Sequence, residues 1–81
     1  MNNAIHVSAI WDENAHVWVV QSDDVPGLIT EAATLELLVL KLETMIPELL
    51  ELNGVPFEQR ESVPLRISSE RMISLLPMNR S

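Results

Sequence analysis

The sequence predicts a small α+β domain in which a three-stranded antiparallel meander precedes one helix and a fourth strand follows it. The hydrophobic pattern predicts these elements: apolar residues alternate near the start, recur at helical spacing in the middle, and alternate again near residue 65. A composition that is 47% hydrophobic indicates a folded chain. With 81 residues, the chain can bury only one thin core.

The first two strands are predicted to form a hairpin, because alternating, β-branched and aromatic residues flank the turn-forming Asp12-Glu13-Asn14. We place these strands at residues 4–11 and 15–21. A three-residue loop pairs Trp11 with Ala15, whereas a four-residue loop pairs it with His16 and inverts the face of every later side chain. Both registers leave large apolar groups on both faces, so we expect something to cover each face.

Local signals then predict a turn, a short strand and a helix. Pro26-Gly27 is typical of a type II turn, since proline fixes φ and glycine supplies the positive φ that follows. A third strand follows at residues 28–31. Thr34 is typical of a helix N-cap, and the helix is predicted to run from Leu35 towards Leu52, where Asn53-Gly54 stops it.

The helix has one broad apolar face, which covers an arc of about 160°. The residues of this predicted core face are Leu35, Leu38, Val39, Leu42, Met45, Ile46, Leu49, Leu50 and Leu52. Pro47 lies on the other side and removes a hydrogen bond to the Glu43 carbonyl, so we expect a kink or a break into two helices. Leu37 and Leu40 project from the outward, otherwise charged face.

A fourth strand is predicted at residues 63–68, where apolar and polar residues alternate, and Pro64 indicates that it begins at a sheet edge. We therefore place the domain at residues 1–68 and a short apolar tail at residues 69–81. This tail either adds a strand to a sheet edge, forms a dimerisation arm or is disordered, and we favour the dimer contact.

The distribution of charge limits the classes of molecule that the protein can bind. The net charge is −7, with −9 in residues 1–59 and +2 in residues 60–81. The acidic body repels nucleic-acid phosphate and anionic lipid and favours a basic partner. The chain has no cysteine, and it shows neither a signal peptide nor a membrane-spanning run, so we expect a cytoplasmic protein.

No set of residues indicates catalysis. Two-metal phosphoryl chemistry needs converging carboxylates, but Asp12 lies in a turn, Glu36 lies in the first helical turn, and the fourth strand has no acid. His6 and His16 lack a third metal ligand, and no phosphate loop or nucleophile motif is present. We expect no enzymatic activity, no cofactor and no metal.

The junctions between the predicted elements resemble the signature of the HicB-like antitoxin family. The motifs that carry the resemblance are Trp18, Asp24-Val25-Pro26-Gly27-Leu28, Glu31-Ala32 and Thr34-Leu35-Glu36. A later pair of motifs is similar to an uncharacterised branch of short, single-domain members: Ile46-Pro47-Glu48-Leu49-Leu50 and Asn53-Gly54.

The resemblance covers residues 5–68 and implies a partial ribonuclease-H-like fold without the nuclease site. It also implies that the protein binds and silences a small, basic, RNA-cleaving toxin of the HicA type. Typical members add a C-terminal DNA-binding segment, but only thirteen residues follow Ser68, so DNA binding is in doubt. The alternative is a stand-alone homo-oligomeric structural or regulatory module, and in both cases we expect a homodimer or larger assembly.

Folding alone does not explain why certain residues of the sequence are present. The candidates for partner binding are Trp18, Asp23, Asp24, Leu37 and Leu40. Trp18 contributes either to the core or to a partner contact. Asp23 and Asp24 either meet basic groups of a partner or solvate their loop. Leu37 and Leu40 form either an interface or two scattered exposed leucines.

Overall fold

The computed structural model describes residues 4–55 and 62–78, in which one helix packs on a four-stranded sheet. In chain order the elements are β1 (Ile5–Asp12), β2 (Val17–Gln21), β3 (Thr30–Ala32), α1 (Leu35–Leu52) and β4 (Leu65–Glu70). The predicted α+β class is confirmed. Arg60 and Arg80, two of the arginines counted in the basic C-terminal part, lie outside the described residues.

The sheet is mixed, with strand order β3-β2-β1-β4. β1 pairs antiparallel with β2, and β2 pairs antiparallel with β3, whereas β4 pairs parallel with β1. The three predicted strands of the meander do pair antiparallel, but the fourth strand adds parallel to β1, so the sheet is mixed and its strand order differs from a simple meander. The helix carries the chain back across the sheet, so the chain enters β4 in the direction of β1. β4 is an edge strand, as Pro64 indicated, but it covers Leu65–Glu70 and so begins two residues later than predicted. Pro64 precedes the strand, and its carbonyl accepts the Ile5 N–H at 2.9 Å.

The hairpin register differs from both predicted alternatives. Trp11 lies opposite Trp18, rather than opposite Ala15 or His16. The loop does contain four residues, but it lies one position later, at residues 13–16. In this register Trp11 and Trp18 project from the same face of the sheet as the buried Ala9 and Val20.

Asp12 causes this displacement of the loop. Its carboxylate Oδ1 accepts the N–H groups of Asn14 at 3.0 Å and Ala15 at 3.1 Å. Its carbonyl accepts the His16 N–H at 2.8 Å, and His16 takes a left-handed conformation with φ 59°. Asp12 therefore closes the turn as the last residue of β1 and is occupied by local hydrogen bonds.

The Pro26-Gly27 turn forms as predicted. Gly27 has φ 85°, and the Leu28 N–H donates to the Val25 carbonyl at 3.2 Å, which closes a turn with proline and glycine at its centre. The third strand begins later than predicted, at Thr30 instead of residue 28. Leu28 is buried in the core within the turn itself, so its apolar character reflects packing and not strand pairing.

The core lies between α1 and one face of the sheet. The helix contributes a buried stripe at four-residue spacing: Leu38, Leu42, Ile46 and Leu50. Strands and loops contribute Val7, Ala9, Val20, Val25, Leu28 and Ala32. Leu52 was predicted on the core face but is 82% exposed. It lies about 100° from the centre of the buried stripe and in the last turn, beyond the reach of the sheet.

The second face of the sheet has no covering layer within residues 4–55 and 62–78. Ile10 and Val19 pair across β1 and β2 on this face, and both are exposed. They lie beside Trp11 in a shallow groove that also contains Asp12 and Glu13. The prediction that both faces of the hairpin carry apolar groups is confirmed.

The helix is continuous through Pro47, so the predicted break into two helices is wrong. Buried Ile46 and Leu50 hold the helix against the sheet on both sides of the proline, and their packing offsets the lost hydrogen bond. Glu43, whose carbonyl loses its helical donor, is exposed, so water can satisfy that oxygen.

Both helix ends follow local rules. The Thr34 hydroxyl oxygen accepts the Leu37 N–H at 3.0 Å, which confirms the predicted N-cap. At the other end Gly54 has φ 81°, and the Val55 N–H reaches the Leu50 carbonyl at 2.8 Å, as in a Schellman motif. Within the described residues, no helix has the length and apolarity needed to span a bilayer.

Candidate functional site

The five candidate residues lie in three places. Asn53, just after the helix, donates from Nδ2 to the Pro26 carbonyl at 3.3 Å, so the loop of Asp23 and Asp24 lies near the C-terminal end of α1. Leu37 lies in the first turn, about 24 Å away along the helix axis. A partner that contacts both regions must therefore cover the whole length of the helix.

Trp18 lies on the helix side of the sheet and packs against the core. Its ring meets the ring of Trp11 edge to face, with the centroids 5.3 Å apart. Trp11 also donates from Nε1 to Glu13 Oε1 at 2.9 Å. Such edge-to-face pairs stabilise a fold beyond simple area burial. Folding thus accounts for Trp18, although its partial exposure leaves room for a partner contact.

Asp24 closes the loop after β2 onto β1. Its Oδ2 accepts the His6 N–H at 2.8 Å, and its own N–H donates to Ser22 Oγ at 3.0 Å. The Ser22 hydroxyl in turn donates to the His6 carbonyl at 2.6 Å. Asp23 is exposed and makes no hydrogen bond within the described part of the chain. The two acids, adjacent in sequence, therefore differ in role: Asp24 orders the loop, and Asp23 remains available to a partner.

We expect Asp24→Ala to lower the free energy of unfolding by about 1 kcal/mol, because the His6 N–H loses a charged acceptor but remains accessible to water. The matched control is Asp23→Ala, with an expected change within about 0.5 kcal/mol. Urea unfolding followed by tryptophan fluorescence measures both. Equal losses from the two variants would show that Asp24 has no special structural role.

Leu37 and Leu40 lie on the outward face of α1 and are 50% and 61% exposed. Glu36 and Glu43 flank them at helical spacing and are also exposed. Lys41, the one cation among residues 1–59, donates from Nζ to the Glu31 carbonyl at 2.6 Å and so leans towards β3. This leucine pair with an acidic border is the outer helix face.

A histidine–serine contact was missed in the sequence because the two residues are distant in the chain. His6 Nε2 lies 2.8 Å from Ser68 Oγ and links β1 to β4. A nucleophile–base pair also needs a group that orients the imidazole, but Asp24 contacts the backbone of His6 and not its ring. The parallel pairing of β1 and β4 brings Ser68 beside Ser8. No sequence pattern shows this pairing, so sequence analysis could not find the contact.

Metal-binding geometry is likewise absent from the described residues: no three histidine, cysteine, aspartate or glutamate side chains converge there. Asp12 and Glu36, the acids weighed as nuclease ligands, lie at the end of β1 and in the first turn of α1. His16 lies in the β1–β2 loop, apart from His6. The described residues instead present surfaces that a partner molecule can contact.

These features define a small α+β domain with one helix on a mixed four-stranded sheet. Its candidate residues are exposed side chains, except Trp18, which packs against the core. The chain belongs to the DUF1902 family, a domain of unknown function, whose model matches residues 4–76. It is similar to the hypothetical protein TTHA1013 from the extremely thermophilic bacterium Thermus thermophilus. The identity is 50%, the match covers 91% of this chain and 99% of that chain, and the TM-score is 0.68. Among curated proteins, none matches the chain.

Proposed function

We propose that the protein is an antitoxin-like binding protein that neutralises a small, basic, RNA-cleaving toxin of the HicA type by covering its surface. The outer helix face carries this proposal, because it combines exposed Leu37 and Leu40 with an acidic border. The resemblance of the turn and helix start to HicB-like proteins supports it. The element order β-β-β-α-β is compatible with the partial ribonuclease-H-like fold that this resemblance implies.

The charge of the domain suits such a partner. An enzyme that cleaves RNA needs cationic groups to hold phosphates, and residues 1–59 carry ten acidic groups against one cation. Attraction between the two proteins accelerates their encounter. The same acidic field repels RNA, so a bound domain also keeps the substrate away from the toxin.

The leucine pair would supply the anchor. Exposed apolar side chains at the centre of a contact, surrounded by charged groups, match the organisation of binding hot spots. Burial of Leu37 and Leu40 would slow dissociation, while the surrounding carboxylates would favour basic partners over neutral ones. Inhibition then needs no chemistry from this chain.

The test is co-expression of the protein with a small basic ribonuclease of the HicA type, followed by affinity measurement on the purified pair. We expect the double variant Leu37→Ser/Leu40→Ser to bind at least about 100-fold more weakly, since each lost anchor costs about tenfold or more. A matched control is Ile29→Ser/Leu52→Ser, which removes two side chains that are 80% and 82% exposed elsewhere. This control should bind normally.

Charge reversal at Asp23 gives a kinetic readout. Asp23→Lys should slow association, most visibly at low ionic strength, because screening weakens steering as salt rises. A basic ribonuclease that neither binds the chain nor is inhibited by it in growing cells would refute the proposal. Equal weakening by the leucine variant and its control would refute the assignment to the outer helix face.

A second candidate function is a stand-alone homo-oligomeric structural or regulatory module. The apolar segment after β4, which is exposed in the single chain, favours it. Sedimentation of the protein alone and with the basic ribonuclease separates the candidates, since a module of this kind forms a homo-oligomer and ignores the ribonuclease. A homodimer that also binds the ribonuclease agrees with the first proposal.

A further inference from the structure

The segment after β4, residues 71–78, carries large apolar side chains into solvent and is here called the arm. Five of its residues are between 61% and 89% exposed: Met72, Ile73, Leu75, Leu76 and Met78. The molecule measures 65 × 26 × 19 Å, and an extended eight-residue segment spans about 26 Å. The arm therefore extends away from the body and does not fold back over it. Such a run of exposed apolar groups calls for a partner surface.

The first residue of the arm is held against the body of the molecule by a side-chain contact. The guanidinium carbon of Arg71 lies 4.5 Å from the centroid of the Trp11 ring, in a cation–π contact. Trp11 itself packs edge to face on Trp18, which contacts the core. The match to the DUF1902 model extends to residue 76, so most of the arm belongs to the family's domain. The position from which the arm leaves the body is therefore fixed.

The outer edge of β4 offers a place for an additional strand. Within the described residues, β4 has one strand neighbour, β1, so the other side of its backbone is unpaired. The strand Leu65–Glu70 contains no proline to block pairing. Leu65 and Ile67 pack against the core but are only half buried, because nothing in the described chain lies outside them. Within residues 4–55 and 62–78, nothing supplies this edge with a further strand or an apolar layer.

We propose that the arm of one molecule pairs antiparallel with the outer edge of β4 in a second copy of this chain, and that the two copies exchange arms reciprocally. The arm continues directly from β4. A two-fold axis near the junction of β4 and the arm therefore places each arm beside the partner's β4. The period of two along an extended chain then places Ile73 and Leu75 on the same side as Leu65 and Ile67.

The area involved suits a dimer. Full burial of an aliphatic side chain removes about 60–120 Å² of apolar surface. Two arms of five such side chains, with the surfaces they cover, would bury at most about 1,200–2,400 Å² in total, which reaches the range of stable protein–protein interfaces. A second copy therefore provides both a strand for the open edge of β4 and a cover for the apolar side chains of the arm.

Sedimentation velocity on the full chain at micromolar concentration tests this proposal. We expect twice the chain mass, and we expect Leu75→Asp to weaken association by at least about tenfold, because the charge would lie in the apolar contact. The matched control is Leu52→Asp, since Leu52 is 82% exposed and Leu75 is 84% exposed. The control should remain dimeric, and circular dichroism should show that both variants fold.

Hydrogen exchange locates the arm in the dimer. Arm amides paired with β4 should exchange slowly in the full chain and at the rate of an unstructured peptide in Leu75→Asp. A monomer, a dimer with fast-exchanging arm amides, or a dimer that tolerates Leu75→Asp would each overturn the proposal. None of these measurements involves a ribonuclease or the outer helix face, so failure here is distinct from failure of the antitoxin proposal.

Discussion

Leu42→Ala is expected to lower the free energy of unfolding by about 2–5 kcal/mol. Leu42 is fully buried in the helix stripe, between Leu38 and Ile46, and the core to which it belongs has ten buried residues in the described part of the chain. Truncation removes apolar contacts and leaves a cavity that neighbouring side chains cannot fill. Since a domain of this size is stable by about 4–12 kcal/mol, the loss is a large part of the total.

The control lies two residues earlier on the same helix. Leu40 is 61% exposed on the outer helix face, so Leu40→Ala should change the free energy of unfolding by no more than about 0.5 kcal/mol. Urea titration measures the free energy of unfolding of both variants. Both are measured at the same protein concentration, so that self-association of the chain affects them equally. Similar losses for both would mean that Leu40 is buried in the native assembly.

Pro47→Ala has the opposite expected sign and should raise the free energy of unfolding by about 1–3 kcal/mol. Pro47 lies inside a continuous helix, where it lacks the N–H that would donate to the Glu43 carbonyl. Alanine restores this hydrogen bond and has the highest helix propensity. Pro47 is half buried, so its replacement by the smaller alanine also removes some apolar burial, and the lower part of the range applies.

The neighbouring Glu48→Ala is the control for helix propensity and charge. Glu48 is exposed and leaves the backbone hydrogen bonds intact, so its replacement should change stability by no more than about 0.5 kcal/mol. Thermal and urea unfolding measure both variants. A loss of stability in Pro47→Ala would show that the proline sets a helix curvature on which the packing of Ile46 and Leu50 depends.

The candidate site was only partly predictable from the sequence. Exposure of Leu37 and Leu40 follows from helical spacing, and both lie on the outer face as expected. Adjacent Asp23 and Asp24 look equivalent in the sequence. The structure separates them, because only the fold brings the His6 N–H to the Asp24 carboxylate. Trp18 similarly takes its place in the core from contacts with residues far along the chain.

The sequence by itself determined the features that depend on a few neighbouring residues. The Thr34 cap, the Pro26-Gly27 turn and the Gly54 helix end each follow from the conformational limits of those residues. The buried stripe centred on Leu42 follows from helical periodicity. These elements appear where local chemistry predicts them, because the interactions that stabilise them join residues only a few positions apart in the sequence.

The tertiary structure alone decided the long-range arrangement. It set β4 parallel to β1 at the sheet edge and left Leu52 outside the core. Each of these outcomes depends on contacts between distant residues, whose free energy exceeds local preferences only once the helix and sheet have packed together. The exposed arm belongs to the same category: its position follows from where β4 ends, and no pattern in residues 71–78 specifies that point.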